Sequence, residues 1–167
     1  YPAQDVYDWA RDQIAEEAAQ GRKIAVLCRG DPLFYGSFMY LFLRLSEDWS
    51  VKVVPGVNSL AACSAELGMP LAARNDVITV IPAILPEAEL KERISRTDVA
   101  VIMKVGRHLG KVQTVLDELG LLPRARYIER ATMENQKIAD VSKMDAASAP
   151  YFSMILVRCA EGMLEFD

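Results

Sequence analysis

The sequence of 167 residues has one histidine and three cysteines, and each scarcity closes off a class of function. With His108 as the only histidine, and no Ser or Cys in a recognisable nucleophile elbow, neither a hydrolytic triad nor a histidine-based metal site has support. Cys28, Cys63 and Cys159 are far apart and lie in apolar segments. This argues against a disulfide framework or a zinc site and predicts three core thiols. No apolar stretch approaches the roughly 20 residues needed to cross a bilayer. The N-terminus opens on a polar, acidic helix instead of a basic and then apolar signal segment, so a cytoplasmic location is expected. Positive charge is also short: 19 Lys and Arg against 23 Asp and Glu leave a net charge of -4, unsuited to a general nucleic-acid coat. Internal repeats and low-complexity segments are absent from the sequence.

What remains is the composition of a folded protein, 51% hydrophobic and 25% charged, long enough for one medium domain or two small ones. The chain begins at Tyr1 and not at a methionine, which points to a region upstream. In the first helix Val6, Trp9, Ala10, Ile14 and Ala18 recur at helical spacing before the stop at Gly21. "KIAVLCR" (23–29) and "VKVV" (51–54) read as strands covered on both faces, followed by helices over 33–45 and 59–67. Strand, tight turn and helix thus occur twice in succession, which predicts crossover connections and a parallel sheet. At "GMPLAARND" (68–76) the chain changes character, placing a domain boundary between residues 74 and 75. Beyond it come a strand at "VITVIP", a helix at "PEAELKERIS", and a strand at "DVAVIMKV". A helix at "GRHLGKVQTVLDELG" and strands at "ARYIER" and "YFSMILVRC" complete the series. Residues 131–150 lack a period and read as a long loop.

The turns carry the chemistry. In α/β sheets ligands sit beyond the carboxyl ends of the strands, where turns into helices present backbone N–H groups. At "VLCRGDPLFYGSF" (26–38), Gly30 is conformationally permissive, Asp31 suits a helix N-cap and Pro32 suits a first turn. A lone turn of this kind is explained more simply as a capped helix start with no ligand. "PGVNS" repeats the pattern, however, with Gly56 permissive and Asn58 or Ser59 as the cap. Further turns follow at "MKVGRH" and "ERATMENQ". Arg29, Arg74, Lys104, Arg107 and Arg130 therefore fall at or next to strand ends in a chain that is acidic overall. Taken singly, each reads as solvated surface charge; together they suit a substrate with several carboxylates or phosphates. His108 reads as an ordinary residue of a helix first turn.

Taken in this order, "GDPLFYGSF", "VVPGVNSLAA", "MKVGRH" and "ERATMENQ" resemble the tetrapyrrole methylase family, from about residue 20 to the C-terminus. "RNDVITVIPA" and "VIMKVGRHL" bring the likeness nearest to the branch that acts on carbon 20 of precorrin-2. The resemblance implies an α/β fold of two domains, 1–74 and 75–167, with a ligand cleft between them. It also implies a homodimer, S-adenosyl-L-methionine (SAM) as cofactor, and methylation of carbon 20 of precorrin-2 or cobalt-factor II. Carried over residue by residue, Gly30, Asp31, Pro32, Leu33 and Phe34 match the loop that cradles the cofactor, and Asn58 and Ser59 match the polar pair after the family's Pro-Gly. Met103 or Val105 corresponds to the apolar contact from the second domain, with Ala131 and Thr132 near the adenine side. A polycarboxylate substrate gives Arg29, Lys104, Arg107 and Arg130 a role as substrate contacts. The family's first strand and its Gly-rich loop have no counterpart here, so the first domain is expected to be N-terminally incomplete. The competing readings are a family member acting at another ring position or substrate, and a non-catalytic ligand-binding fragment of the same fold.

Overall fold

The computed structural model describes residues 4–160. Tyr1 and the C-terminal end of the expected second domain lie outside the described residues. The chain packs as two compact units, Tyr1–Ser59 and Leu60–Asp167. The division falls at the start of a helix, whereas the change of character in the sequence comes at 68–76.

The first unit holds helices α1 (Gln4–Ala19) and α2 (Phe38–Leu45), packed on each other. Arg44 joins them, donating from Nε to Asp8 Oδ1 at 2.6 Å and from Nη2 to Gln4 Oε1. The expected core face of α1 is only partly realised. Ala10, Ile14 and Ala18 are half-buried, but Val6 and Trp9 are exposed. Two strand expectations fail here. Residues 23–29 and 51–54 form no strand, and Leu27 is 93% exposed. The reason is that an apolar run becomes a strand only beside another that accepts its N–H groups and covers its faces. Neither condition is met among the described residues. The helix expected over 33–45 is likewise shortened to α2, because Tyr35 takes a left-handed backbone (φ 52°) that no helix accommodates.

The second unit begins inside α3 (Ser59–Leu67), at Leu60, and the end of this helix at Gly68 (φ 60°) follows the expectation. Then come β1 (Ile78–Pro82), α4 (Glu87–Ile94), β2 (Val99–Met103), α5 (Leu109–Glu118), β3 (Ala125–Glu129), β4 (Lys137–Asp140) and β5 (Ser153–Arg158). The sheet order is β1-β2-β5-β3-β4. Only β1 and β2 are parallel, and the remaining neighbours pair antiparallel. The sheet is therefore mixed, not parallel as expected. β5 enters from the end at which β2 and β3 finish and slots between them, an arrangement that no local pattern encodes. The long loop expected at 131–150 contains β4, which pairs with β3 through Ile128 and Ile138.

Alternation along the strands sorts the core. Ala100, Ile102, Tyr127, Ile155 and Val157 face one way and join Leu90 and Ile94 of α4 with Leu109, Val112, Val115 and Leu116 of α5 in one buried cluster. Val101, Met103, Met154 and Leu156 are buried on the other face of the sheet. Gly120 (φ 68°) stops α5, with the Leu121 N–H returning to Leu116 O at 2.8 Å. At the start of β1, Asp76 accepts from Ala73 N (3.0 Å) and from Arg158 Nη1 (3.1 Å), tying the entry of β1 to the exit of β5. Of the three expected core thiols, only Cys63 is buried. Cys159 is half-buried and Cys28 is exposed, since the run that carries it is uncovered. Among the described residues no helix is long and apolar enough to cross a membrane.

Candidate functional site

In the first unit a single side chain joins the two glycine turns. Asp31 Oδ1 accepts the Leu33 N–H at 2.9 Å, closing an Asx turn. Asp31 Oδ2 accepts the Gly56 N–H at 3.1 Å, reaching 25 residues along the chain. These donors, Gly56 before Leu33, hold the Asp31 carboxyl below the usual carboxylate range. Asp31 is thus not the helix cap expected of it: α2 starts at Phe38, and Ser37 occupies its N-cap position without a side-chain bond. The two backbones nearly touch. A Cβ on Gly56 would lie 2.3 Å from the Gly30 carbonyl oxygen, so only glycine fits there. Gly30 itself has φ 74°.

Around this tie, Pro32 and Phe34 are half-buried and Leu33 is exposed. The Phe34 ring stands edge-on to Tyr35 at 5.1 Å between centroids. Asn58 is half-buried and immediately precedes Ser59, the first helical residue of α3. Arg29 is exposed in the same unit.

In the second unit the antiparallel placement of β5 gathers the other turns at one end of the sheet. Met103 pairs with Met154 and Glu129 pairs with Ser153, so the turns after β2 and β3 meet the entry of β5. Ser153 stitches them together. Its carbonyl accepts the Val105 N–H (3.4 Å), and its Oγ accepts the Gly106 N–H (3.2 Å) and donates to Pro150 O (2.6 Å). Arg130 N–H donates to Phe152 O at 3.1 Å. Three non-glycine residues here are left-handed, Lys104 (φ 55°), Arg130 (φ 50°) and Thr132 (φ 66°). Each costs about 1 kcal/mol or more, and such strain collects where backbone must be presented to a ligand.

The expected residues take distinct positions. Lys104, Arg107 and Arg130 come together at this end. Arg74 does not: it lies in the turn that leads into β1, at the opposite end of the sheet. Met103 is buried at 7% exposure, while Val105 is enclosed in the cluster beneath α5. Ala131 is half-buried and Thr132 exposed. The Thr132 N–H donates to Gln136 Oε1 (2.6 Å), and Gln136 Nε2 donates to Glu66 Oε2 (2.7 Å), anchoring the loop to α3. His108 lies where a short 3-10 turn leads into α5. Partial burial, with Lys111 and Arg107 nearby, pushes its pKa down.

Sequence reasoning overlooked a buried polar chain under the fourth turn. The Tyr127 hydroxyl donates to Glu129 Oε2 (2.5 Å), and Arg130 Nη1 donates to Glu129 Oε1 (2.6 Å). Burial first, then the Glu129 acceptor, drives the Tyr127 phenol far above its ordinary pKa. A detectable signal existed: residues 127 and 129 share one face of a strand whose neighbours are apolar. Elsewhere, Thr79, Glu89, Glu92, Arg93 and Arg96 line an open depression of about 430 Å³ that contains none of the turn residues. Among the described residues no cluster of His, Cys, Asp or Glu could hold a metal ion.

The order of these turns along the chain agrees with a known pattern. The model of the Tetrapyrrole (Corrin/Porphyrin) Methylases matches residues 2–146. The chain belongs to the tetrapyrrole methylase family. Among curated methylases it is 43% identical over 153 residues to a precorrin-2 C(20)-methyltransferase of Sinorhizobium sp, covering 92% of this chain and 62% of that protein. It is 30% identical to the cobalt-precorrin-2 C(20)-methyltransferase of Salmonella typhimurium, over 87% of this chain and 62% of that protein. The chain thus spans about three-fifths of the length of these methylases. Two solved structures share the methylase fold. A cobalt precorrin-4 methyltransferase has a TM-score of 0.70 at 22% identity, over 89% of this chain and 69% of that one. The uroporphyrin-III C-methyltransferase of Thermus thermophilus, complexed with S-adenosyl homocysteine, has a TM-score of 0.61 at 24% identity, over 88% and 71%.

In this methylase the Gly30 and Gly56 turns are packed backbone against backbone, with no room for a side chain between them. A side chain at Gly56 is sterically excluded and the Asp31 carboxylate is engaged internally. With the Asp31 carboxylate bonded to Leu33 and Gly56, the side chains next to this tie are the exposed Leu33 and the half-buried Phe34.

Proposed function

We propose that this chain is part of a SAM-dependent methyltransferase that methylates carbon 20 of precorrin-2 or cobalt-factor II in cobalamin biosynthesis. The observation that carries the reading is the 43% identity to a precorrin-2 C(20)-methyltransferase over 92% of this chain. SAM supplies a methyl group already bonded to a sulfonium leaving group, so the protein's task is alignment and exclusion of water more than acid–base chemistry. Gly30, Asp31, Pro32, Leu33 and Phe34, with Asn58 and Ser59, would hold the cofactor in the first unit. By the same family resemblance, Met103, Ala131 and Thr132 are further proposed cofactor contacts. The Asp31 tie keeps the Gly30 and Gly56 backbones in register before any ligand arrives, which lowers the ordering cost of binding. Arg29, Lys104, Arg107 and Arg130 would bind the carboxylates of the tetrapyrrole. A homodimer in the cytoplasm is part of the same reading.

The full-length protein tests it. Calorimetry should detect SAM binding, and incubation with precorrin-2 should yield a product one methyl group heavier, with the new carbon placed at position 20 by NMR. Absence of SAM binding would overturn the proposal. A methyl at another position would favour a different branch of the family, and SAM binding without turnover would favour a non-catalytic module.

A further inference from the structure

We propose that Glu129 is a positioning residue that aims Arg130 at a carboxylate of the substrate; this rests on the methyltransferase reading above. Glu129 is the last residue of β3 and is 6% exposed, an uncommon place for a carboxylate. Both of its oxygens are occupied, and by different kinds of donor. Tyr127, fully buried, donates its hydroxyl to Oε2, while Arg130 donates Nη1 to Oε1. The tyrosine holds the carboxylate in place from below, and the carboxylate holds the guanidinium from one side.

The backbone serves the same end. Arg130 is left-handed (φ 50°), and its N–H is bound to Phe152 O at the entry of β5. A purely structural ion pair needs no such conformation. Here the backbone turns the residue out of the strand while Glu129 engages Nη1 only, and the Arg130 side chain stays 36% exposed. A guanidinium has five N–H donors in a rigid fork, so a group anchored through one nitrogen still offers an edge to a second carboxylate. Glu129 thereby supplies orientation without making contact with substrate.

The experiment compares full-length wild type with Glu129→Gln, Arg130→Lys and Arg130→Ala, measuring KM for precorrin-2, Kd for SAM and thermal midpoint. Glu129→Gln keeps the shape but loses the charge that orients the guanidinium. It should raise KM about tenfold, as expected for loss of one charge-assisted contact, with SAM Kd within twofold of wild type. Arg130→Lys should not restore substrate affinity, because an ammonium lacks the fork. If Glu129→Gln lowers the midpoint but leaves KM unchanged, or weakens SAM and substrate equally, Glu129 is structural and the proposal is overturned. Should Glu129→Gln fail to fold, Arg130→Ala decides: an unchanged KM overturns the proposal. A wild type that neither binds SAM nor methylates would instead overturn the underlying methyltransferase reading.

Discussion

The Asp31 carboxylate accepts the Gly56 N–H at 3.1 Å, so one aspartate holds two glycine turns that lie 25 residues apart in the chain. The pair makes the loop a preformed surface, with the Gly56 Cα position pressed against the Gly30 carbonyl. Asp31→Ala in the full-length protein should therefore weaken SAM binding more than it lowers the thermal midpoint. Gly56→Ala should raise the SAM Kd by about tenfold or more, since its Cβ meets backbone that cannot move aside. Equal proportional losses of stability and affinity in both variants would reduce the tie to a structural staple.

Acid should destabilise the second unit through Asp76. The Ala73 N–H first, then Arg158, hold its carboxyl below the ordinary value of 3.8. A folded-state pKa depressed in this way favours folding fully above the unfolded value, and the contribution disappears as pH falls through 3.8 toward the folded value. The thermal midpoint should be nearly flat from about pH 7 to 5 and fall below about pH 4. Asp76→Asn should reduce that acid slope; an unchanged slope would remove Asp76 from the account.

Tyr127→Phe should cost about 1–3 kcal/mol in chemical denaturation, the usual penalty for leaving a buried acceptor without its donor. The acceptor is Glu129 Oε2, and the phenyl ring keeps its place in the core cluster. A loss well below this range would mean that water replaces the hydroxyl.

Cys63 should be chemically silent in the folded protein. Burial, with Glu66 nearby, raises its thiol to about 11. At pH 8 only about one part in a thousand is thiolate, the reactive form. Maleimide or disulfide-reagent labelling at pH 8 should modify Cys63 only after denaturant is added. Rapid labelling under native conditions would show that α3 opens.

In the core, Leu116→Ala should destabilise by about 2–5 kcal/mol, because a close-packed core relaxes only partly around a deleted side chain. Leu116 is 0% exposed within the cluster that α4 and α5 form against the sheet. Urea unfolding followed by circular dichroism measures the effect.

Local signals were legible wherever local physics decides. The helix stops at Gly68 and Gly120, strands β1, β2, β3 and β5, and helices α3, α4 and α5 all follow from periodicity, run length and the left-handed tolerance of glycine. The order of four turns sufficed to point to a family, since backbone-lined turns require particular residues at particular places. Tertiary structure alone decided the rest. Whether "KIAVLCR" becomes a strand depends on a neighbour the segment cannot supply, and β5 inserts between β2 and β3 by pairings from distant parts of the chain. Asp31 reads as a helix cap locally because the same carboxylate chemistry serves any N–H, and only the fold brings Gly56 within 3.1 Å to claim it. Glu129 likewise looks like an ordinary strand end until the pleat places Tyr127 on its face and the left-handed turn brings Arg130 back to it. A sequence states which groups can bond; which partner each one meets is settled by contacts between residues far apart in the chain.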